Sequence, residues 1–343
     1  MCIFTGTIHP IVTATKIFIT MVSVIHQLTV YENNIRATAQ SMDKNGVAMI
    51  LPVPGNGEIT MVDFSGYSSF FSDLEKELPI RNPWEETFSN SLSLRSDPPP
   101  KFLKIQRVGA YDVSVAKNLK DLENLNWDHF DLNPQVTQLL HSTYAKNFGF
   151  VVARVMLLNE LKPHPIGYIH EIPEANRSNL YSSLFVPTMH EGHFSNPSHN
   201  KVNWDHSIFL MGDHPENENW KASINASSVR NVNFRKINSI IQGSSSNNYS
   251  LINPSVTALK RQVITGVHKN CDLHFKTMTP LKSYFDPQAF TSSFPLMDQI
   301  NHIHDLVDST ILNETWYKNH DFALRFLLAF LFIFIIFISI KMQ

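Results

Sequence analysis

Two features of the chain could carry chemistry, and the sharper lies at its start. Cys2 follows Met1 directly, so loss of the initiator would leave a thiol beside a free α-amine. An amino-terminal cysteine can attack a carbonyl with its own amine as base, the logic of an amide hydrolase. A small cysteine is also an ordinary buried apolar side chain, and Cys2 has no partner motif nearby. The second feature is a histidine-rich window over 164–214. His164, His170, His190, His193, His199, His206 and His214 fall there, with Glu191, Asp205 and Asp213 among them. Imidazole and carboxylate are the usual ligands of zinc and related ions. The compact set is His190, His193, Asp205 and His206, the ligands of a metal-binding or metal-dependent hydrolase reading. The window has the texture of loop and strand, so the helical geometry of a His-Glu-x-x-His site is not on offer. Loop or core histidines with satisfied hydrogen bonds are the competing reading. Gly-rich phosphate loops and a Gly-x-Ser-x-Gly elbow are missing.

These residues need a scaffold, and the pattern predicts a β-rich one. Thr13, Thr15, Ile17, Phe18 and Ile19, then Val22, Val24, Leu28, Val30 and Tyr31, read as two strands of mostly β-branched or aromatic residues with partial alternation, and Asn33-Asn34 marks the turn after them. Val47 to Leu51 reads as a buried strand stopped by Pro52 and Pro54, and Ile59 to Phe64 as another. Phe70, Phe71, Leu74 and Leu78 fall at helical spacing before Pro79. Strands are expected at Phe102 to Val108 and Tyr111 to Val115. Asn133-Pro134 starts a helix whose buried stripe is Val136, Leu139, Leu140 and Tyr144. Phe148 to Leu157 is a buried strand with Ile166 to Ile169 as its expected neighbour. Beyond residue 215 aliphatic runs thin out, and Gly243 to Asn248 has linker composition.

The end of the chain bears on location. From Phe322 to Ile340 the only charge is Arg325. About 19 helical residues cover roughly 28 Å, close to a thin bilayer's hydrocarbon core. The amino terminus lacks a basic signal-like region, and three residues follow the apolar run. A tail-anchored, single-pass membrane protein with its bulk in the cytosol is therefore expected, the lipid bilayer being its partner. Leu296, Ile300, Ile303, Val307 and Ile311 form a pattern suited to a stalk helix or a self-association seam.

Composition narrows the rest. The 343 residues carry 17% charged side chains and a net charge of −2, which gives no basic stripe for nucleic acid. Cys2 and Cys271 cannot form a disulfide framework, which fits a reducing compartment. Sequons at Asn176, Asn225, Asn248 and Asn313 point the other way, although such triplets arise by chance in an Asn- and Ser-rich chain.

Several stretches form a familiar series: Thr15 to Phe18, Gln27 to Tyr31, Val47 to Pro54, Phe64 to Tyr67 with Phe70 to Leu74, Gly109 to Ser114, Tyr144 to Val152, and Phe185 to His190. In this order they resemble a family of soluble, mostly bacterial proteins that begin near a Met-Cys and have no assigned activity. The resemblance covers residues 1–214, implies a single domain there and says nothing about chemistry. The Met-Cys opening also looks superficially like that of the glutamine amidotransferases, although no further motif of theirs is present. The expected architecture is an α+β fold: a β-rich domain with a few amphipathic helices over 1–214, an Asn/Ser-rich stem over 215–321, and a transmembrane helix over 322–341. The expected role is a tethered, non-catalytic binding or scaffolding domain. The Cys2 hydrolase and the histidine-window metal protein are the alternatives.

Overall fold

The computed structural model describes residues 3–4, 11–36, 47–80, 103–130, 134–144, 146–155, 163–189, 201–213, 220–280 and 282–285. Fourteen strands are seen there. They are β1 (Ile3–Phe4), β2 (Ile11–Ser23), β3 (His26–Arg36), β4 (Val47–Pro54), β5 (Ile59–Asp63), β6 (Ile105–Val108), β7 (Tyr111–Ala116) and β8 (Phe148–Val155), followed by β9 (Ile166–Glu171), β10 (Tyr181–Val186), β11 (Lys201–Gly212), β12 (Ala222–Asn225), β13 (Ala258–Lys269) and β14 (Leu273–Met278). The helices are α1 (Phe70–Glu77), α2 (Leu119–Leu122), α3 (Trp127–Phe130), α4 (Pro134–Thr143) and α5 (Phe234–Ser244).

Two sheets share one core. A seven-stranded mixed sheet has the order β12-β13-β11-β2-β3-β9-β5, with β11 and β2 its parallel pair. A five-stranded antiparallel sheet has the order β1-β4-β8-β7-β6. Alternation decides which side chains meet between them. Ile17, Ile19 and Met21 of β2 join Leu51 and Val53 of β4 and Val151 and Ala153 of β8 in one buried cluster. Phe18 points to the opposite face, where Phe70 of α1 meets it edge-on at 5.2 Å. The outer face of the smaller sheet is covered by α2–α4 through Leu122, Phe130, Leu139 and Leu140.

The expected architecture is overturned. Residues assigned to a polar stem form part of the larger sheet. β13 pairs with β11 from Lys201↔Lys269 to Gly212↔Ala258, and β12 lies on its far side. Gly243 and Ser244, expected in a linker, close α5, whose Phe234, Ile237 and Ile241 are buried. The fold is thus a β-rich mixed-sheet sandwich that continues well past 214. Among the described residues no helix is long and apolar enough to cross a membrane. The apolar run 322–340 and the 296–311 pattern lie outside the described residues. The membrane anchor, the single-pass topology and the cytosolic location find no support in any described helix and are withdrawn, while the bilayer partnership and the self-association seam rest on residues outside the described ones.

Three local expectations also change. Asn33 and Asn34 lie within β3, and the turn falls at Val24–Ile25, where Ser23 Oγ accepts from the His26 N–H at 3.1 Å. β4 runs through Pro52 and Pro54, which sit opposite Phe150 and Phe148 of β8. β1 reaches only Met49 and Ile50, so no described strand needs the N–H groups that these prolines lack. β9 pairs with β3 and β5 of the larger sheet, not with β8.

Candidate binding surface

β10 and β14 form a separate antiparallel ribbon; two polar devices fix it to the sandwich, and a third closes its far end on itself. At one end Asp272 Oδ1 accepts the N–H groups of Thr188 and Met189, each at 2.9 Å. Its Oδ2 accepts the Tyr144 hydroxyl at 2.6 Å, which ties the ribbon to the end of α4. Burial pushes the Asp272 carboxyl above the usual carboxylate range, with these donors opposing the shift. In the middle the side chain of Gln27 acts as a backbone rung. Its Nε2 donates to the Phe185 carbonyl at 2.7 Å, and its Oε1 accepts the Phe185 N–H at 3.0 Å. At the far end Ser178 Oγ accepts the Tyr181 N–H at 2.9 Å, and Thr279 donates its N–H to the Leu180 carbonyl at 2.9 Å.

That far end borders a cleft of about 340 Å³. Its apolar lining includes Leu180, Val256, Met278 and Tyr284, and its polar groups include Asn179, Asp213, Thr257 and Thr279. The walls are pinned through their backbones. Met278 donates its N–H to the Asp213 carbonyl at 2.8 Å, and Asn253 donates to the Tyr284 carbonyl at 2.8 Å. Asn253 also caps the short turn carrying Val256, its Oδ1 accepting from the Ser255 N–H at 2.9 Å. The side chains nevertheless reach solvent: Leu180 is 65% exposed, Met278 44% and Val256 37%. Five large apolar residues are exposed among the described residues, and three of them line this cleft, with Tyr181 directly beside it in sequence. Exposed apolar side chains of this kind mark contact surfaces, and a fixed backbone leaves only their rotamer freedom to be lost on binding.

Of the residues marked out by sequence, Cys2, His190 and His193 lie outside the described residues. Asp205 and His206 are consecutive in β11 and therefore face opposite ways, Asp205 outward and His206 buried at 2%. The structure does not bring this pair together. Asp205 instead holds a bulge, its Oδ2 accepting at 2.8 Å the N–H of Ala14, whose φ is +51°. The His206 ring lies against Trp204 at 4.7 Å. Among the described residues no three His, Cys, Asp or Glu side chains are placed to share a metal ion.

Two more histidines of the window have structural work. His164 Nε2 accepts the Ala110 N–H at 2.7 Å beside Gly109, whose φ is +55°. A Cβ at Gly109 would stand 2.0 Å from that same nitrogen, so the turn admits only glycine. His170 is buried at 2%, with Nδ1 placed to donate to the Glu171 carbonyl at 3.0 Å. Desolvation pushes its imidazole down to about 4 from the ordinary 6.5. The unfolded chain therefore takes up the proton first as pH falls. The stability that neutral His170 contributes is complete above about 6.5 and is lost between there and about 4, at roughly 1.4 kcal/mol per pH unit. Urea unfolding of wild type and His170→Leu at about pH 7.5 and 5.5 tests this. Wild type should lose about 1 kcal/mol more than the variant across that interval; equal losses would remove His170 as the cause.

No protein-family model and no curated protein matches the chain. Among solved structures the chain is similar to the crystal structure of baculovirus P35, with 12% identity and a TM-score of 0.40, over 78% of this chain and 97% of that one. A mutated baculovirus P35 after caspase cleavage gives 11% identity and a TM-score of 0.38, covering 77% and 100%. The caspase-8/P35 complex gives 10% and 0.35, covering 77% and 96%. Likenesses at this distance assign neither activity nor partner to the chain.

Proposed function

We propose that this domain is a non-catalytic binding module that docks an extended protein segment, through an aliphatic side chain, in the cleft beside Leu180 and Met278. The observation that carries this reading is the concentration of exposed apolar side chains on a backbone fixed by Ser178, Thr279, Asp213 and Asn253. A cleft of about 340 Å³ lies within the range of small recognition pockets and holds a side chain or two of a peptide. The polar rim of Asn179 and Thr279 offers donors and acceptors to the main chain of such a segment.

A panel of short labelled peptides bearing leucine, isoleucine or methionine anchors, titrated by anisotropy, tests the reading. Leu180→Glu should fold normally, because the side chain is 65% exposed. It should remove about 1–2 kcal/mol of contact, a tenfold or greater rise in Kd for the peptides that wild type binds. If no anchored peptide binds wild type, or if Leu180→Glu binds equally well, the cleft is not the docking surface.

A further inference from the structure

β14 is an edge strand with a definable polarity. In the ribbon, Thr279 bonds to Leu180, so the pairs that exchange backbone hydrogen bonds are Ser182↔Thr277, Leu184↔Phe275 and Val186↔Leu273. Met278, Lys276 and His274 therefore turn their N–H and C=O groups away from β10. Met278 confirms the direction, because its N–H bonds outward to Asp213. Among the described residues β14 pairs with β10 alone, which leaves the outward groups of His274 and Lys276 as an open edge. The side chains of both residues are exposed, while Phe275 and Thr277 between and beyond them are buried.

The edge also has one sign of charge. Neither Tyr181–Val186 nor Leu273–Met278 contains a carboxylate, and the basic residues are His274 and Lys276. The edge ends at the cleft, where Asp213 stands on the rim beside Met278. A strand added here meets basic side chains along its length and an apolar pocket with one carboxylate at its end. We infer that β14 accepts an acidic extended peptide as an additional strand, its backbone bonded to His274 and Lys276 and its terminal aliphatic residue in the cleft. The inference rests on reading the domain as a binding module and names the partner class. Its peptide carries Glu or Asp opposite Lys276 and an aliphatic residue, not an acid, next to Asp213.

The probe is a blocked heptapeptide of alternating valine and glutamate ending in leucine, titrated against the full chain. Two control peptides replace glutamate with lysine, or methylate the alternate amides that would bond to β14. The acidic peptide should bind at least about tenfold more tightly than either control. At saturation it should slow amide hydrogen exchange at His274 and Lys276 by at least about tenfold. Lys276→Glu should reverse the preference between the acidic and basic peptides. An edge lysine can also serve only to keep other strands away; then no peptide slows exchange at these amides, and the inference falls. It falls too if acidic and basic peptides bind alike, or if methylation has no effect. The two readings fail separately. Loss of binding in Leu180→Glu without edge protection removes strand addition and keeps the cleft. Edge protection with an unaffected Leu180→Glu does the reverse.

Discussion

Replacing Glu75 with alanine should destabilise the domain by about 3–5 kcal/mol, because it removes the carboxylate shared by two cations that the fold has taken largely out of water. Glu75 Oε2 lies 2.6 Å from Lys16 Nζ, and its Oε1 lies 3.3 Å from an Arg261 Nη. Side-chain exposures are 13% for Lys16, 19% for Glu75 and 7% for Arg261. Arg261 also donates to the Leu78 carbonyl at 3.0 Å and to Ser207 Oγ at 3.0 Å, and it stacks over the Phe209 ring at 5.1 Å. The network joins α1 to β2 and β13, so one carboxylate holds together elements from both halves of the sequence. Denaturant titration checks the magnitude. Substituting Glu75, Lys16 and Arg261 together by methionine should recover most of the loss, since an apolar trio of similar volume leaves no charge unpaired. A cost below about 1 kcal/mol for Glu75→Ala would show that water compensates the cations and that the network is superficial.

The elements legible in the sequence are those whose signal is local. Phe70, Phe71 and Leu74 give a helical stripe, and α1 occupies Phe70–Glu77. The apolar run from Phe148 gives β8 at Phe148–Val155. Composition misled where the period was the better guide. Phe234, Ile237 and Ile241 fall at helical spacing, and Asn233 caps the helix by accepting the Lys236 N–H at 2.9 Å. A local abundance of Asn and Ser hid that pattern behind the look of a linker. The strand Ala258–Lys269 alternates weakly because its last five residues, Thr265 to Lys269, are all exposed, and β11, which pairs with it, lies far away in the sequence. The candidate surface was not legible at all. Its walls meet through pairings such as Ser182 with Thr279, which are 97 residues apart. The histidine window drew attention by residue type, but strand alternation sends Asp205 and His206 to opposite faces, and the geometry of His164 and His170 commits them to backbone partners.

Gln27 carries the other large expectation, and it links stability to the binding surface. The residue is fully buried and bridges the larger sheet to the ribbon through Phe185, with its Nε2 also 2.8 Å from Thr29 Oγ1. Gln27→Leu keeps the volume and leaves the Phe185 N–H and C=O without this partner in the interior. At about 1–3 kcal/mol for each stranded group, the loss should be near 3 kcal/mol. The ribbon should also loosen, so that peptide affinity at the cleft falls even though no cleft residue has changed. Gln27→Glu separates the hydrogen bonds from the packing. A carboxylate still accepts from the Phe185 N–H, but it cannot donate to the Phe185 carbonyl until it is protonated. Burial raises the pKa of a carboxyl in such a place, so the folded state binds its proton more tightly than the unfolded chain does. That contribution is present at low pH and is lost as pH rises through the raised value. The gap between wild type and Gln27→Glu should therefore narrow as pH is lowered from about 7 towards 5, by up to about 1.4 kcal/mol per unit. Urea titrations of the two proteins across that range decide the matter. A gap that stays constant with pH would mean that the site does not raise the introduced carboxyl, and a gap that is also below about 1 kcal/mol would mean that the Phe185 bridge is dispensable and the ribbon is held by packing alone.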